Sequence, residues 1–227
     1  MIEVRDIVKS YGNERVLKGI SLKISDGEFV SIMGESGSGK STLLGILGGF
    51  VEKDGGSVFW DGEDISLFDN KKMASLRSTK MGFVFQSFKL IPTLNVKDNL
   101  LLPATLGKNI NKETLMYVDG LVNVLGLSES LSKYPEQLSG GQCQRVAIAR
   151  ALAYKPSVII LDEPTGALDS GMETVVMELL SRVNRELSTT IIQVTHSQRV
   201  AAYGTRQIRL SDGEIIDTER VANEAVL

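Results

Sequence analysis

Residues 34–42 read GESGSGKST, preceded by the apolar run FVSIM and running on into STLLGILGGF, where Leu43, Leu44 and Leu47 fall at helical spacing. A segment of the form G-x-x-x-x-G-K-[ST] between a strand and a helix commits the chain to an α/β fold in which a helix starts on a phosphate group. Its glycines permit backbone conformations that β-carbons would obstruct, and they turn successive N–H groups inward. Gly34, Glu35, Ser36, Gly37, Ser38, Gly39, Lys40, Ser41 and Thr42 are therefore the candidate phosphate-binding residues. Lys40 adds a point charge for the outer phosphates of a nucleotide, and the Ser41 hydroxyl can bind Mg²⁺.

A second stretch, SVIILDEPTGALDS at 157–170, supplies a chemical partner. Its aliphatic run ends in adjacent carboxylates, whose side chains point to opposite faces if the strand persists. Asp162 is expected to hold Mg²⁺, directly or through water, and Glu163 to orient the attacking water. An acid pair at a strand end is usually only a solvated turn or a helix cap. Paired with a phosphate-binding loop, it reads as catalytic.

The remaining pattern places these motifs in a larger organisation. MIEVRDIVKSY, VLKGISLKI and FVSIM read as strands, and GGSVFW with DGEDI as a hairpin. DNKKMASLRSTK is a mixed polar stretch leading into the strand-like MGFVF. From 93 to 153 helical patterns predominate, with breaks expected at Pro92, Pro103 and Pro135. The α/β pattern resumes with SVIILD, helix METVVMELLSRVNREL and strand TTIIQVTH, and ends in a strand pair around Ser-Asp-Gly. The expected organisation over 1–227 is one domain: an α/β core from 1–92 and 154–217, a helical lobe inserted at 93–153, and a tail at 218–227. The segment TERVANEAVL reads equally as a short helix or a frayed end.

Composition narrows the partners. A formal charge of -3 gives no footprint for nucleic acid beyond a small local patch, because backbone binding needs clustered Lys and Arg. One cysteine cannot form an intramolecular disulfide, and MIEVRDIVKSYGN lacks the pattern of a secretory leader, so a reducing cytosol is expected. No apolar run approaches the roughly 18 residues of a membrane span. Any membrane work falls to another chain.

Between the two motifs lies LSGGQ, 138–142, followed by a helical pattern. Ser-Gly before apolar periodicity commonly means only a helix cap. In this order, however, GESGSGKST, LSGGQ, LDEP and the His196 strand end resemble the nucleotide-binding subunit of an ATP-binding cassette (ABC) transporter, over roughly residues 2–217. The resemblance implies a P-loop NTPase fold with a RecA-like α/β core, an antiparallel β subdomain and an inserted helical lobe. It implies ATP and Mg²⁺ as ligands, with Tyr11 stacking on adenine and Gln86 reaching the metal or the attacking water. Ser139, Gly140, Gly141 and Gln142 would contact ATP held by a second copy, and Asp169 would lie in a loop crossing that interface. His196, the single histidine of the chain, would contact the γ-phosphate and help position water and Glu163.

Two departures from the family pattern stand out. Cys143 follows LSGGQ where Gln, Lys, Glu or Arg is common; a tolerated small side chain is favoured over a redox-sensitive thiolate. The charged turn at Glu52, Lys53 and Asp54 replaces a proline-containing one and is expected to alter only an exposed loop. The phrases GFVFQSFKLIPTLNVKDNLLLP and VTHSQRVAAYGTRQIRLSDGEI most resemble the lipoprotein-releasing, macrolide-export and antimicrobial-peptide-resistance subgroup. That resemblance implies a cytoplasmic subunit held at the inner face of the membrane by a separately encoded partner, which it drives by mechanical transmission. An importer ATPase shares the same catalytic motifs and stands as an alternative, as does a complex controlling an extracytoplasmic hydrolase. Phe88, Leu90, Ile91 and Leu94 read either as a docking surface for the membrane partner or as packing between the lobes.

Overall fold

The computed structural model describes residues 1–107 and 110–220. Two sheets organise them. An antiparallel sheet in the order β2-β1-β4-β5 contains β1 (Ile2–Tyr11), β2 (Glu14–Ile24), β4 (Gly55–Trp60) and β5 (Glu63–Asp64). A second sheet has the order β10-β9-β3-β8-β7-β6, from β3 (Phe29–Met33), β6 (Met81–Val84), β7 (Val158–Asp162), β8 (Thr190–Val194), β9 (Arg206–Ser211) and β10 (Glu214–Arg220). Strands β9, β3, β8, β7 and β6 run parallel, and β10 closes the edge antiparallel to β9. Strands β3, β7 and β8 are almost wholly buried because the antiparallel sheet and a helix cover one face and helices cover the other, and this is why they read as continuous apolar runs.

Register decides where the chemistry gathers. Ile32 of β3 and Asp162 of β7 both lie opposite Val194 of β8. The loop after Met33, the acid pair and the His196 segment therefore leave one edge of the sheet at the same level. Binding sites in open parallel sheets form at such carboxyl edges.

The helices are α1 (Lys40–Leu47), α2 (Asn70–Thr79), α3 (Val96–Leu106), α4 (Lys112–Val124), α5 (Gly140–Leu152), α6 (Ser170–Leu187) and the single turn α7 (Gln198–Ala201). One core joins α1, β1, β2, β4 and one face of the large sheet, with Leu43, Leu44, Leu47 and Trp60 buried in it. The other joins α3 to α6 to the opposite face, bringing Phe29, Ile159 and Ile191 together with Leu121, Ile148 and Leu180. The helical segment thus shares its apolar interior with the sheet.

One stretch without an assigned structure is resolved, and one local expectation is corrected. DNKKMASLRSTK forms α2, capped by Asp69, whose carboxylate accepts from the Lys72 N–H; the helix buries only Met73, so the sequence carries little apolar periodicity. Pro103 does not break the chain but lies inside α3, whose buried Leu100 and Ala104 flank it and whose packing against α5 holds the turn. At the other end, β10 continues to Arg220, so residues 218–220 of TERVANEAVL are strand. The rest of that segment, 221–227, lies outside the described residues.

Candidate active site

Helix α1 begins unlike its neighbours. The other α-helices among the described residues each have a side chain accepting from a first-turn N–H: Asp69, Asn95, Asn111, Ser139, Asp169 and Ser197. The cap of α1 is Gly39, left-handed at φ 98°, with no side-chain hydrogen bond and no acidic residue in the first turn. Its N–H groups and the positive end of its dipole are left for an anion. The approach of neighbouring segments enforces glycine here. A β-carbon on Gly34 would fall 2.1 Å from the Leu210 carbonyl oxygen, and one on Gly39 would fall 2.7 Å from a Leu17 methyl.

Lys40 folds back over this loop, donating to the carbonyl oxygens of Gly34 (2.8 Å) and Glu35 (2.5 Å) and to Ser38 Oγ (3.3 Å). Burial pushes its pKa down, against the pull of Glu163 and Asp162. Ser41 Oγ donates to Asp162 Oδ1 at 3.1 Å. Burial pushes the Asp162 carboxyl up; the Ser41 hydrogen bond opposes this, the Glu163 charge adds to it, and Lys40 opposes it. Two oxygen donors held together, one a carboxylate strained by burial and a neighbouring charge, suit a hard cation. Among the described residues no group of three or more His, Cys, Asp or Glu could hold a metal unaided. That donor set fits Mg²⁺, which ordinarily takes one or two protein oxygens and completes its shell with phosphate and water.

Glu163 leaves the sheet in the left-handed region, at φ 49°, with its N–H donating to Val194 O at 3.1 Å. A non-glycine residue held there costs on the order of 1–3 kcal/mol, and such strain concentrates at functional sites. The conformation brings Glu163 Oε1 to 3.0 Å from His196 Nδ1. The carboxylate is 16% exposed and the imidazole 76%. A sheltered base thus has an open, ring-nitrogen partner on the solvent side.

These groups line one cleft of about 780 Å³. Among the expected residues it brings together Gly34, Ser36, Gly37, Gly39, Lys40, Ser41 and Thr42 of the loop with Asp162, Glu163, Gln86, His196 and Tyr11. Tyr11, at the end of β1, is 52% exposed, so its ring can offer a face to a base. Glu35 and Ser38 serve the loop by accepting from Lys40 and do not line the cleft. Ser139, Gly140, Gly141, Gln142 and Asp169 are also absent from its walls. Ser139 caps α5 reciprocally with Gln142: Ser139 Oγ accepts from Gln142 N–H at 3.2 Å, and Gln142 Oε1 accepts from Ser139 N–H at 2.8 Å. Within one chain, the helix-cap reading of LSGG is therefore satisfied.

Other positions were not evident from the motifs. Gln144, Gly166 and Ala167 line the cleft. The first of them lies at helical spacing from Ala147, Ile148 and Ala151 of α5, and only the fold shows that it is buried with them. Asp54 does more than decorate an exposed turn: it accepts from Lys9 Nζ (3.0 Å) and Ser10 N–H (2.6 Å), tying down β1 just before Tyr11. Cys143 is 9% exposed, its thiol faces Pro135 O at 3.7 Å, and burial pushes its pKa up. That favours the inert small side chain over a reactive thiolate. Phe88 and Leu90 pack against the second core, and Arg150 donates to the carbonyls of Phe88 and Lys89 at 2.8 and 2.7 Å, whereas Ile91 is 38% exposed. The apolar segment after Gln86 is thus mainly packing with one exposed corner.

Comparison with known proteins places nearly the whole chain among relatives of one family. The family model described as ABC transporter matches residues 17–166. A bacitracin export ATP-binding protein BceA of Halalkalibacterium halodurans is 42% identical over 95% of this chain and 87% of its own length. A lipoprotein-releasing system ATP-binding protein LolD of Porphyromonas gingivalis is 41% identical over 94% of this chain and 97% of its own. A macrolide export ATP-binding/permease protein MacB of Marinobacter nauticus is 46% identical over 96% of this chain, which spans only 34% of that longer protein. The structure titled as a dimeric post-hydrolysis state of the ATP-binding cassette MJ0796, bound to ADP and Pi, superposes with a TM-score of 0.92 at 40% identity, covering 98% of this chain and 100% of that one. These relatives are export and release systems, so the importer alternative is not favoured. With a phosphate loop, a Ser–Asp oxygen pair and a Glu–His pair on one sheet edge, the chain belongs to the ABC transporter family, as one of its ATP-hydrolysing cassettes.

Proposed function

We propose that the chain works as a two-fold, head-to-tail pair that hydrolyses ATP to drive a separately encoded membrane subunit in export, extraction or resistance. The observation that carries this reading is the division of the expected site. The cleft of one chain contains what phosphate binding and water activation require, while Ser139 and Gly140 lie exposed on a different helix terminus. A second copy supplying Ser139–Gln142 would complete each site, with Asp169 in the crossing loop. The dimeric cassette structures among the relatives support this arrangement.

Within each site the residues divide the work. The α1 amides and Lys40 hold the phosphates, Lys40 exchanging its bonds to Gly34 and Glu35 for phosphate oxygens. Ser41 and Asp162 hold Mg²⁺, which when bound neutralises charge on the phosphates. Glu163 takes the proton of the attacking water, His196 fixes that carboxylate and meets the γ-phosphate, and Gln86 reaches toward the metal and water. Tyr11 stacks on the base. Loss of the γ-phosphate removes the contacts that hold the pair closed.

No described helix is long and apolar enough to cross a membrane. We place the protein in the cytoplasm, at the inner face of the membrane through its partner, a reading supported by relatives that are ATP-binding components of export and release systems. The longer macrolide-export relatives, named as ATP-binding and permease in one chain, support the pairing of such a cassette with a permease. The test is to purify the tagged Glu163→Gln variant with ATP from detergent-solubilised native membranes and identify its companion by mass spectrometry. A few-span membrane protein with a large external domain is expected. A many-span permease with a solute-binding protein would overturn the export reading.

A further inference from the structure

Gln144 is a polar side chain in the wrong place for a passive helix. It is 1% exposed, at helical spacing from the buried Ala147, Ile148 and Ala151 of α5, and its Nε2 has no hydrogen-bond partner among the described residues. A buried amide donor left unpaired destabilises the fold, and such groups are rare in folded proteins. Its location gives that cost a use: Gln144 lines the ATP cleft of its own chain, beside Glu163, Gly166 and Ala167. The same helix begins with Ser139–Gln142, the residues assigned to the partner's ATP.

The first turn of α5 is also in close contact with the loop that follows Glu163. A β-carbon on Gly141 would fall 3.0 Å from the Ala167 carbonyl oxygen. The loop turns back on itself through Gly166 N–H to Glu163 O at 3.4 Å and Leu168 N–H to Thr165 O at 3.0 Å. This loop therefore meets α5 at the Gly141 backbone and shares the cleft wall with the Gln144 side chain. Only Gln144 brings an unsatisfied donor.

We propose that Gln144 is a positioning residue through which the nucleotide in a chain's own cleft sets the orientation of α5, and so the readiness of Ser139–Gln142 for the partner's ATP. ATP with its metal and water brings acceptor groups into the cleft, and the Gln144 carboxamide turns onto one of them, drawing α5 toward the Glu163–Ala167 loop. The inference rests on the assignment of Ser139–Gln142 to the partner's nucleotide.

The test compares Gln144→Leu and Gln144→Glu with wild type. Three quantities are measured: the Tm without nucleotide, kcat and KM for ATP, and ATP-dependent pairing by size-exclusion chromatography in the Glu163→Gln background. Removing an unpaired buried amide leaves the nucleotide-free Tm of Gln144→Leu unchanged or higher. Losing the donor lowers kcat about tenfold with KM little changed, and weakens pairing to a similar degree. Gln144→Glu, which keeps an acceptor but has no N–H, loses turnover and pairing in the same direction. A merely structural glutamine would instead lower Tm and leave turnover per folded molecule intact. Wild-type kcat and pairing in both variants would overturn the proposal, and Gln144→Met replaces Gln144→Leu if that variant does not fold. Ser139→Ala is the control: intact pairing there would remove the partner assignment, while the kcat of the Gln144 variants would still decide whether the side chain serves its own cleft.

Discussion

Two glycine-rich segments in this chain lead into helices, and they end in opposite conditions. At α1 the cap is a left-handed glycine, no side chain satisfies the first N–H groups, and a largely buried lysine is bonded to the loop's own carbonyls. At α5 the cap is complete, Ser139 and Gln142 satisfying each other, and the terminus faces outward. The first terminus depends on an anion to satisfy it within one chain. The second is closed within one chain, and under the proposed pairing it acts on the partner's ATP. A glycine-serine motif before a helix thus states nothing by itself; the side chains that do or do not close the cap decide it.

The largest effect that tests this contrast comes from Glu163, the proposed base for hydrolysis in the pair. Glu163→Gln is expected to lower kcat by about 10²–10⁴ while ATP binding persists and the closed pair accumulates; wild-type turnover in a phosphate-release assay would remove Glu163 from that role. Next comes the cation of the uncapped loop. Lys40→Ala should weaken ATP binding to the single chain by about 10- to 100-fold, the worth of charge-assisted hydrogen bonds, as read by nucleotide titration calorimetry. Ser139→Ala separates the two ends: it should cost about 1 kcal/mol of unfolding free energy through the lost cap, leave the single chain's ATP affinity unchanged, and impair ATP-driven pairing. Weaker ATP binding by the isolated variant would erase the distinction between the termini.

The smallest effect concerns charge. The Asp162 carboxyl is held above its ordinary range by burial, so the folded chain binds that proton more tightly than the unfolded one. Its ionised form therefore opposes folding above the unfolded pKa, near neutral pH included, and this penalty fades as pH falls from the raised folded-state pKa toward the ordinary carboxylate value, below which it is gone. Asp162→Asn should accordingly raise the Tm of the nucleotide-free protein near neutral pH, with the gain shrinking in acid, while Mg²⁺-dependent stabilisation by ATP is lost. An equal or lower Tm at neutral pH would contradict the burial cause.

The same contrast explains how much was legible. Strands β3, β7 and β8 are covered on both faces, so their apolar runs and the motifs at their ends were readable, and their shared register did the rest. Helix α2 was not, because a helix that buries Met73 alone has no apolar stripe. Pro103 misled because tertiary packing holds a turn that the isolated sequence would break. Asp54 and Gln144 escaped for a different reason: each meets residues distant in sequence, Asp54 bonding to Lys9 and Ser10, and Gln144 lining one cleft with Glu163, Gly166 and Ala167. Local pattern carries no trace of such contacts.

The chain's single sulfhydryl, Cys143, lies 9% exposed within the first turns of α5. Its reaction with a maleimide would keep time for the helix that carries Gly140–Gln142, because the enclosed thiol reacts faster whenever that part of α5 opens. The protein therefore has a built-in, site-specific chronometer, with no competing thiol to remove and no label to engineer, for following how nucleotide and partner change local opening.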